Sequence, residues 1–91
     1  MSPWSILYMK ILLTKHAEHV IRMREIDVQW VMETINNPDL RTEDPHDDQL
    51  ERFFRRIPER ESRVLRVVAN TKLEPWKIIS VFFDRRMRGK L

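Results

Sequence analysis

The spacing of apolar and polar positions changes period along this chain, and each change marks an element. Residues 6–13, ILYMKILL, form a short, mostly apolar run that predicts a strand. Thr14 follows, a residue type suited to open a helix by accepting a backbone N–H. From about Lys15 to Glu25 the pattern is helical, with Ala17, Val20, Ile21 and Arg24 on one stripe. Asp27 offers a second N-cap. After it, Val28, Val31, Met32 and Ile35 recur at i, i+3, i+4 and i+7. This second helix is expected to end at Asn36-Asn37-Pro38. Either asparagine can take the left-handed conformation, and the proline blocks continuation.

Beyond Pro38 the period shortens to that of strands. LRTED is a short strand candidate, PHDD a polar turn, and QLERFFRRI a third run stopped by Pro58. SRVLRVVAN alternates Val64, Arg66 and Val68 against Leu65, Val67 and Ala69, the clearest strand in the chain. TKLEP then turns into WKIISVFFD, a β-branched and aromatic strand with Ser80 at its middle. Short polar connections favour antiparallel pairing of neighbours. The order β-α-α-β-β-β-β therefore predicts an α+β two-layer sandwich, with both helices packed on one face of an antiparallel sheet. The arginines are expected on the opposite sheet face or in a groove at one end. Ninety-one residues make one domain, 1–91, with residues 1–5 and 85–91 expected as flexible ends.

Composition narrows the classes. No run approaches the roughly 20 apolar residues of a membrane span, and the first residues lack a basic leader and a small-residue cleavage site. A cytoplasmic protein without membrane contact is the expectation. With no cysteine there is no disulfide framework or thiolate metal site, and with Gly89 the only glycine there is no glycine-rich phosphate loop. Net charge is +3, but its distribution says more. Residues 85–91 hold four basic groups and no acid, while the rest of the chain holds 13 basic and 14 acidic groups. A second basic concentration runs from Arg52 through Arg55, Arg56, Arg60 and Arg63 to Arg66, partly neutralised by Glu59 and Glu61. Such clusters suit phosphate backbones or an acidic partner; the alternative is a solvated strand face. Arg52, Arg55, Arg56, Arg85, Arg86 and Arg88 are the expected RNA-binding set.

The remaining chemistry lies in side chains with two readings each. His16 and His19 sit three apart on the first helix, and His46 neighbours Asp47 and Asp48. That spacing matches no zinc signature, so no metal site is expected and these histidines read first as surface. A loosely held divalent ion on the acidic loop is the weaker alternative. His16 near the helix start can act as a general acid or base, or be an exposed flank residue. Arg24 shares its stripe with core residues, so its side chain must snorkel to an edge, pair with a carboxylate or face a cleft. Pairing is the ordinary outcome; phosphate recognition is the sharper one. Trp4, Trp30 and Trp76 can be stacking platforms or packing, with Trp30 off the apolar stripe and Trp76 at the core rim.

In order along the chain, Thr14, His16, Ala17, Arg24, Ile26, Asn37, Pro38 and Ser80 resemble the domain-of-unknown-function family four-two-five-eight. Its members begin with a strand and a T-x-H-A helix start. An arginine follows eight residues after the histidine, with an isoleucine two further on. The second helix ends in asparagine-proline, and a late strand carries a threonine, here Ser80. The resemblance covers roughly residues 8–84. This chain departs from the pattern at three places. Val20 stands where an arginine is common, Glu25 where a glycine precedes the isoleucine, and Phe82 where a tyrosine follows the threonine by two.

The resemblance places the chain with the RelE, barnase, EndoU and colicin-like toxin folds. It implies a metal-independent endoribonuclease of a toxin–antitoxin type pair, needing no cofactor, with RNA as substrate and a protein antitoxin as partner. In that chemistry a ribose 2′-OH attacks the adjacent phosphate, which needs an acid, a base and cationic stabilisation. The implied roles are His16 as acid or base, Arg24 and Arg66 on the phosphate, Ser80 positioning it, and the Arg85, Arg86 and Arg88 segment on neighbouring phosphates. The alternative is a non-catalytic RNA-binding or protein-interaction domain on the same fold.

Overall fold

The computed structural model describes residues 11–91; the expected strand residues 6–10, Trp4 and the 1–5 end lie outside them. Strand β1 (Ile11–Leu13) is followed by helices α1 (Lys15–Met23) and α2 (Val28–Asn36). Strands β2 (Leu40–Glu43), β3 (Leu50–Ile57), β4 (Arg63–Asn70) and β5 (Trp76–Phe83) follow, and Arg85–Met87 forms a final 3-10 turn. The strands make one five-stranded sheet in the order β1-β5-β4-β3-β2, and the helices pack against it: an α+β fold. The chain order and helical layer are those expected.

The sheet is mixed rather than antiparallel throughout. β2 to β5 form an antiparallel meander, but β1 lies parallel to β5. Short connections set the polarity of the meander. No such turn links β1 to β5, so local spacing could not reveal how they pair. β4, at the centre, is buried on both faces. Leu65, Val67 and Ala69 point into the main core with Ala17, Ile21, Val31, Met32 and Ile35 from the helices, while Val64 and Val68 are buried on the other face.

Both helices start where the caps predict. The Thr14 side chain accepts from the Ala17 amide at 3.1 Å, and Asp27 accepts from Gln29 at 2.8 Å. Their ends differ from expectation. α1 stops at Met23, not Glu25: Arg24 is its C-cap, and Glu25 takes a left-handed φ of 53°. The Ile26 amide donates back to the Ile21 carbonyl at 2.9 Å, and Glu25 to Arg22 at 3.3 Å. This is a Schellman termination, with Ile21 and Ile26 both buried beneath it. A glycine is favoured at such a position, so Glu25→Gly is expected to raise stability by up to ~1 kcal/mol. The greater freedom of glycine in the unfolded chain trims that gain. Thermal unfolding measures it; an unchanged or lowered Tm would contradict the account. At the end of α2, Asn37 has φ −144°, so it is not left-handed as expected. Pro38 restricts the residue before it to extended geometry.

The β2–β3 edge is tied by charge. Arg41 holds both oxygens of Glu51, at 2.6 and 2.9 Å, and the Thr71 hydroxyl donates to the same carboxylate. The Arg41 hydrogen bonds, reinforced by Thr71 and opposed by partial burial, hold Glu51 at about 2, down from an ordinary 4.5. A depressed carboxylate contributes stability above its unfolded value that is lost as it protonates. Stability is therefore expected to fall as the pH drops from 4.5 towards 2, and Glu51→Gln should flatten that limb in acid denaturation. An identical acid limb in the variant would remove Glu51 from the explanation.

Candidate functional site

Among the described residues, β1 pairs with Trp76, Lys77 and Ile78 of its neighbour. Beyond Ile78, β5 has no strand on that side among the described residues, and α1 packs against it instead. A bulge helps to shape this edge. Val68 pairs with Ser80 and Ala69 with Ile78, leaving Ile79 unpaired. Thr14 uses it: its amide donates to the Ile78 carbonyl at 3.1 Å and its hydroxyl to the Ile79 carbonyl at 3.3 Å. One residue thus caps α1 and ties the helix start to β5, which sets His16 two positions into the helix.

From there the helix presents His16, Val20 and Arg24 at i, i+4 and i+8, one stripe of its surface. All three line a 510 Å³ cleft whose opposite wall is β5 from Ser80 to Phe83. Arg60 enters from the β3–β4 connection, Arg63 from the start of β4 and Arg85 from the final turn. Among the described residues, no Asp or Glu lines the cleft. The arginines are pre-positioned by rings rather than acids. Arg63 lies 4.5 Å from the Phe83 centroid, and Arg60 lies 5.5 Å from Phe83 and 5.7 Å from Trp30. Among the described residues, Arg24, Arg60, Arg63 and Arg85 form no salt bridge, whereas Arg41, Arg52, Arg55, Arg66 and Arg86 each do. The four guanidiniums that face the cleft are thus left with open hydrogen-bonding capacity, as are Arg22, Arg56 and Arg88 outside it. Arg24 takes the third of its expected outcomes: it faces a cleft and does not pair with a carboxylate.

His16, Arg24, Ser80 and Arg85 all line the cleft, Ser80 at the β5 edge with its register opposite Val68 of the helix-free face, and the other expected site residues lie apart from them. Arg66 is on the helix-free face, by its register opposite Phe54 and Phe82. It pairs with Asp84 at 3.3 Å and lies 4.3 Å over the Phe82 ring, and its buried Nε has no partner. Burial above all, then the nearby charge of Arg52, pushes its guanidinium below its ordinary value. Arg52 pairs with Asp44 at 3.1 Å on that same face. The backbone hydrogen bond from His46 is the main influence holding Asp44 below the usual carboxylate range, and Arg52 adds to it. Arg55 donates to the Asn37 carbonyl at 2.7 Å, completing the C-terminal end of α2. Arg56, Arg86 and Arg88 are exposed outside this cleft.

Two groups of residues escaped the sequence reading. Arg60 and Arg63 looked neutralised by Glu59 and Glu61, yet their side chains reach the cleft. Asp84 is buried. One oxygen accepts from the Arg86 amide at 3.0 Å, which opens the final turn, while the other meets Arg66. A polar residue between an apolar strand and a basic run is a cap signal that FFDRR carried. His19 and His46 are exposed, and no three His, Asp or Glu side chains converge to hold a metal among the described residues. No helix is long and apolar enough to cross a membrane among those residues.

The stripe with His16 and Arg24, the isoleucine-closed helix end and the late strand bearing Ser80 form one framework. The profile of Domain of unknown function (DUF4258) matches residues 13–83, which hold all of it. The chain belongs to this family. No curated protein and no solved structure matches it. The framework gives physical content to three positions of the resemblance to DUF4258. The glycine common before the isoleucine corresponds to the left-handed residue here filled by Glu25, and the isoleucine to the buried closing contact, Ile26. The threonine opening the motif corresponds to Thr14, which joins helix, strand and bulge.

Proposed function

We propose that this DUF4258 protein is a toxin-like endoribonuclease acting without a metal ion, and that a protein antitoxin restrains it. The observation that carries the reading is the acid-free cleft in which His16 and Arg24 meet Ser80. Attack of a ribose 2′-oxygen on the adjacent phosphorus expels the 5′-oxygen of the next nucleotide. The products are a 2′,3′-cyclic phosphate and a free 5′-hydroxyl. His16 takes the 2′-OH proton or supplies one to the leaving oxygen, and solvent in the half-open cleft handles the other proton. Arg24, with Arg60 and Arg63, stabilises the charge that gathers on the phosphorane oxygens. Ser80 orients the phosphate. The resemblance to RelE- and barnase-type folds supports the same substrate class.

A second reading, a non-catalytic RNA-binding domain, is favoured by one observation. The cleft holds a single histidine and no carboxylate, and Phe82 supplies no hydroxyl. Purified protein incubated with RNA in EDTA separates the two readings. Cleavage leaving cyclic phosphate ends supports the first; salt-sensitive retention of intact RNA supports the second.

A further inference from the structure

Beside the cleft lies a second depression of 490 Å³, and the two share Arg63, Phe83 and Arg85 as a common wall. Its far side is formed by Arg88, brought there by the final turn that Asp84 caps. Arg63, Arg85 and Arg88 form no salt bridge among the described residues, although Glu61 and Asp84 line the same depression; the Asp84 oxygens are taken by Arg66 and the Arg86 amide. Three guanidiniums with unspent donors therefore converge around a space of small-ligand size, next to the acid-free cleft. Glu61 is held there by the connection itself: it and Ser62 have φ near +58° and +59°, and the Ser62 amide donates to the Ile57 carbonyl at 3.1 Å.

We infer that this depression receives the adjoining phosphodiester of a nucleic-acid strand that has one phosphate in the cleft, so that the ligand of this protein carries at least two consecutive phosphates. The inference rests on the cleft being a nucleic-acid site. Arg88 is the cation particular to the second phosphate, since Arg63 and Arg85 border both spaces. Glu61 opposes the same phosphate. The two residues therefore act on one ligand group with opposite sign, which a nonspecific basic surface does not require.

Thymidine oligodeoxynucleotides with one, two or three internal phosphates are suitable probes. They lack the 2′-OH and stay intact whether or not the protein cleaves RNA. Competition binding across a salt series is expected to show tighter binding at two phosphates than at one. The slope of log affinity against log salt should steepen by about 0.7 with the added phosphate. Arg88→Gln should abolish that step and leave one-phosphate binding unchanged. Glu61→Gln, equally strained at its φ, should enlarge it by roughly 3- to 10-fold. Arg24→Gln should weaken every probe, including the shortest. Equal affinity for one and two phosphates, an unaffected step in Arg88→Gln, or equally tight binding of polyglutamate would overturn the inference. If RNA is not cleaved in EDTA while the two-phosphate step is present, the ribonuclease reading fails and the inference stands.

Discussion

His16→Ala is expected to lower RNA cleavage in EDTA by ~100- to 10,000-fold, the range over which a positioned proton-transfer group contributes. The fold should survive. His16 is exposed, and the hydrogen bonds that start α1 belong to Thr14 and the backbone. Circular dichroism and Tm should therefore match those of the parent chain. RNA affinity should change little, because the phosphate contacts come from arginines that the substitution leaves in place. Loss of turnover with retained binding is the signature of a group acting on protons. A variant that cleaves at the parental rate would remove His16 from the chemistry, and with it the observation on which the proposed reaction rests. Adding imidazole to the variant offers a second check. The cleft is half-open, and partial rescue would identify the missing ring as the reason for the loss.

The largest expected effect on stability belongs to Asp84→Ala. The substitution leaves the Arg66 guanidinium buried beside Phe82 without its counter-charge and frees the Arg86 amide that starts the final turn. Breaking a buried pair from one side costs about 3 kcal/mol or more, because the surviving charge remains desolvated. The Tm should fall by more than ~10 °C for a domain of this size. Asp84→Asn keeps an acceptor for the Arg86 amide and should lose less. The double variant Asp84→Ala/Arg66→Met should recover much of the loss, since methionine occupies the site without a charge. A Tm within a few degrees of the parent for Asp84→Ala would mean that Arg66 is hydrated rather than dependent on its partner.

How much of this was legible in the chain depended on whether the physics was local. Thr14 and Asp27 named the helix starts because capping involves residues two or three apart. The alternation through β4 named a strand buried on its helix side for the same reason. The parallel pairing of β1 with β5 involves no shared turn, so no spacing recorded it. Arg66 was grouped with His16 and Arg24 because the implied chemistry asks for cations on the phosphate, not because it matches a position of the family pattern. Its register puts it on the other sheet face, paired with an aspartate 18 residues away. Arg60 and Arg63 were discounted on net charge, which counts Glu59 and Glu61 without knowing where they point. The connection that aims these arginines passes through two left-handed residues, Glu61 and Ser62. Neither is the glycine or asparagine that would have announced such a turn.

The pairing of β1 with β5 also orders events in time. Strands β2 to β5 can zip up as successive hairpins, each closing a short loop. The contact between Thr14 and the β5 bulge spans 65 positions and is expected to close after that meander. The wall bearing His16 and Arg24 is thus expected to dock last. Its helix is only nine residues long with much of its surface exposed, so the helix is expected to open more readily than the central strand. A nascent chain would remain without a complete cleft until Arg85 had been added. Hydrogen exchange should find the amides of α1 less protected than those of β4.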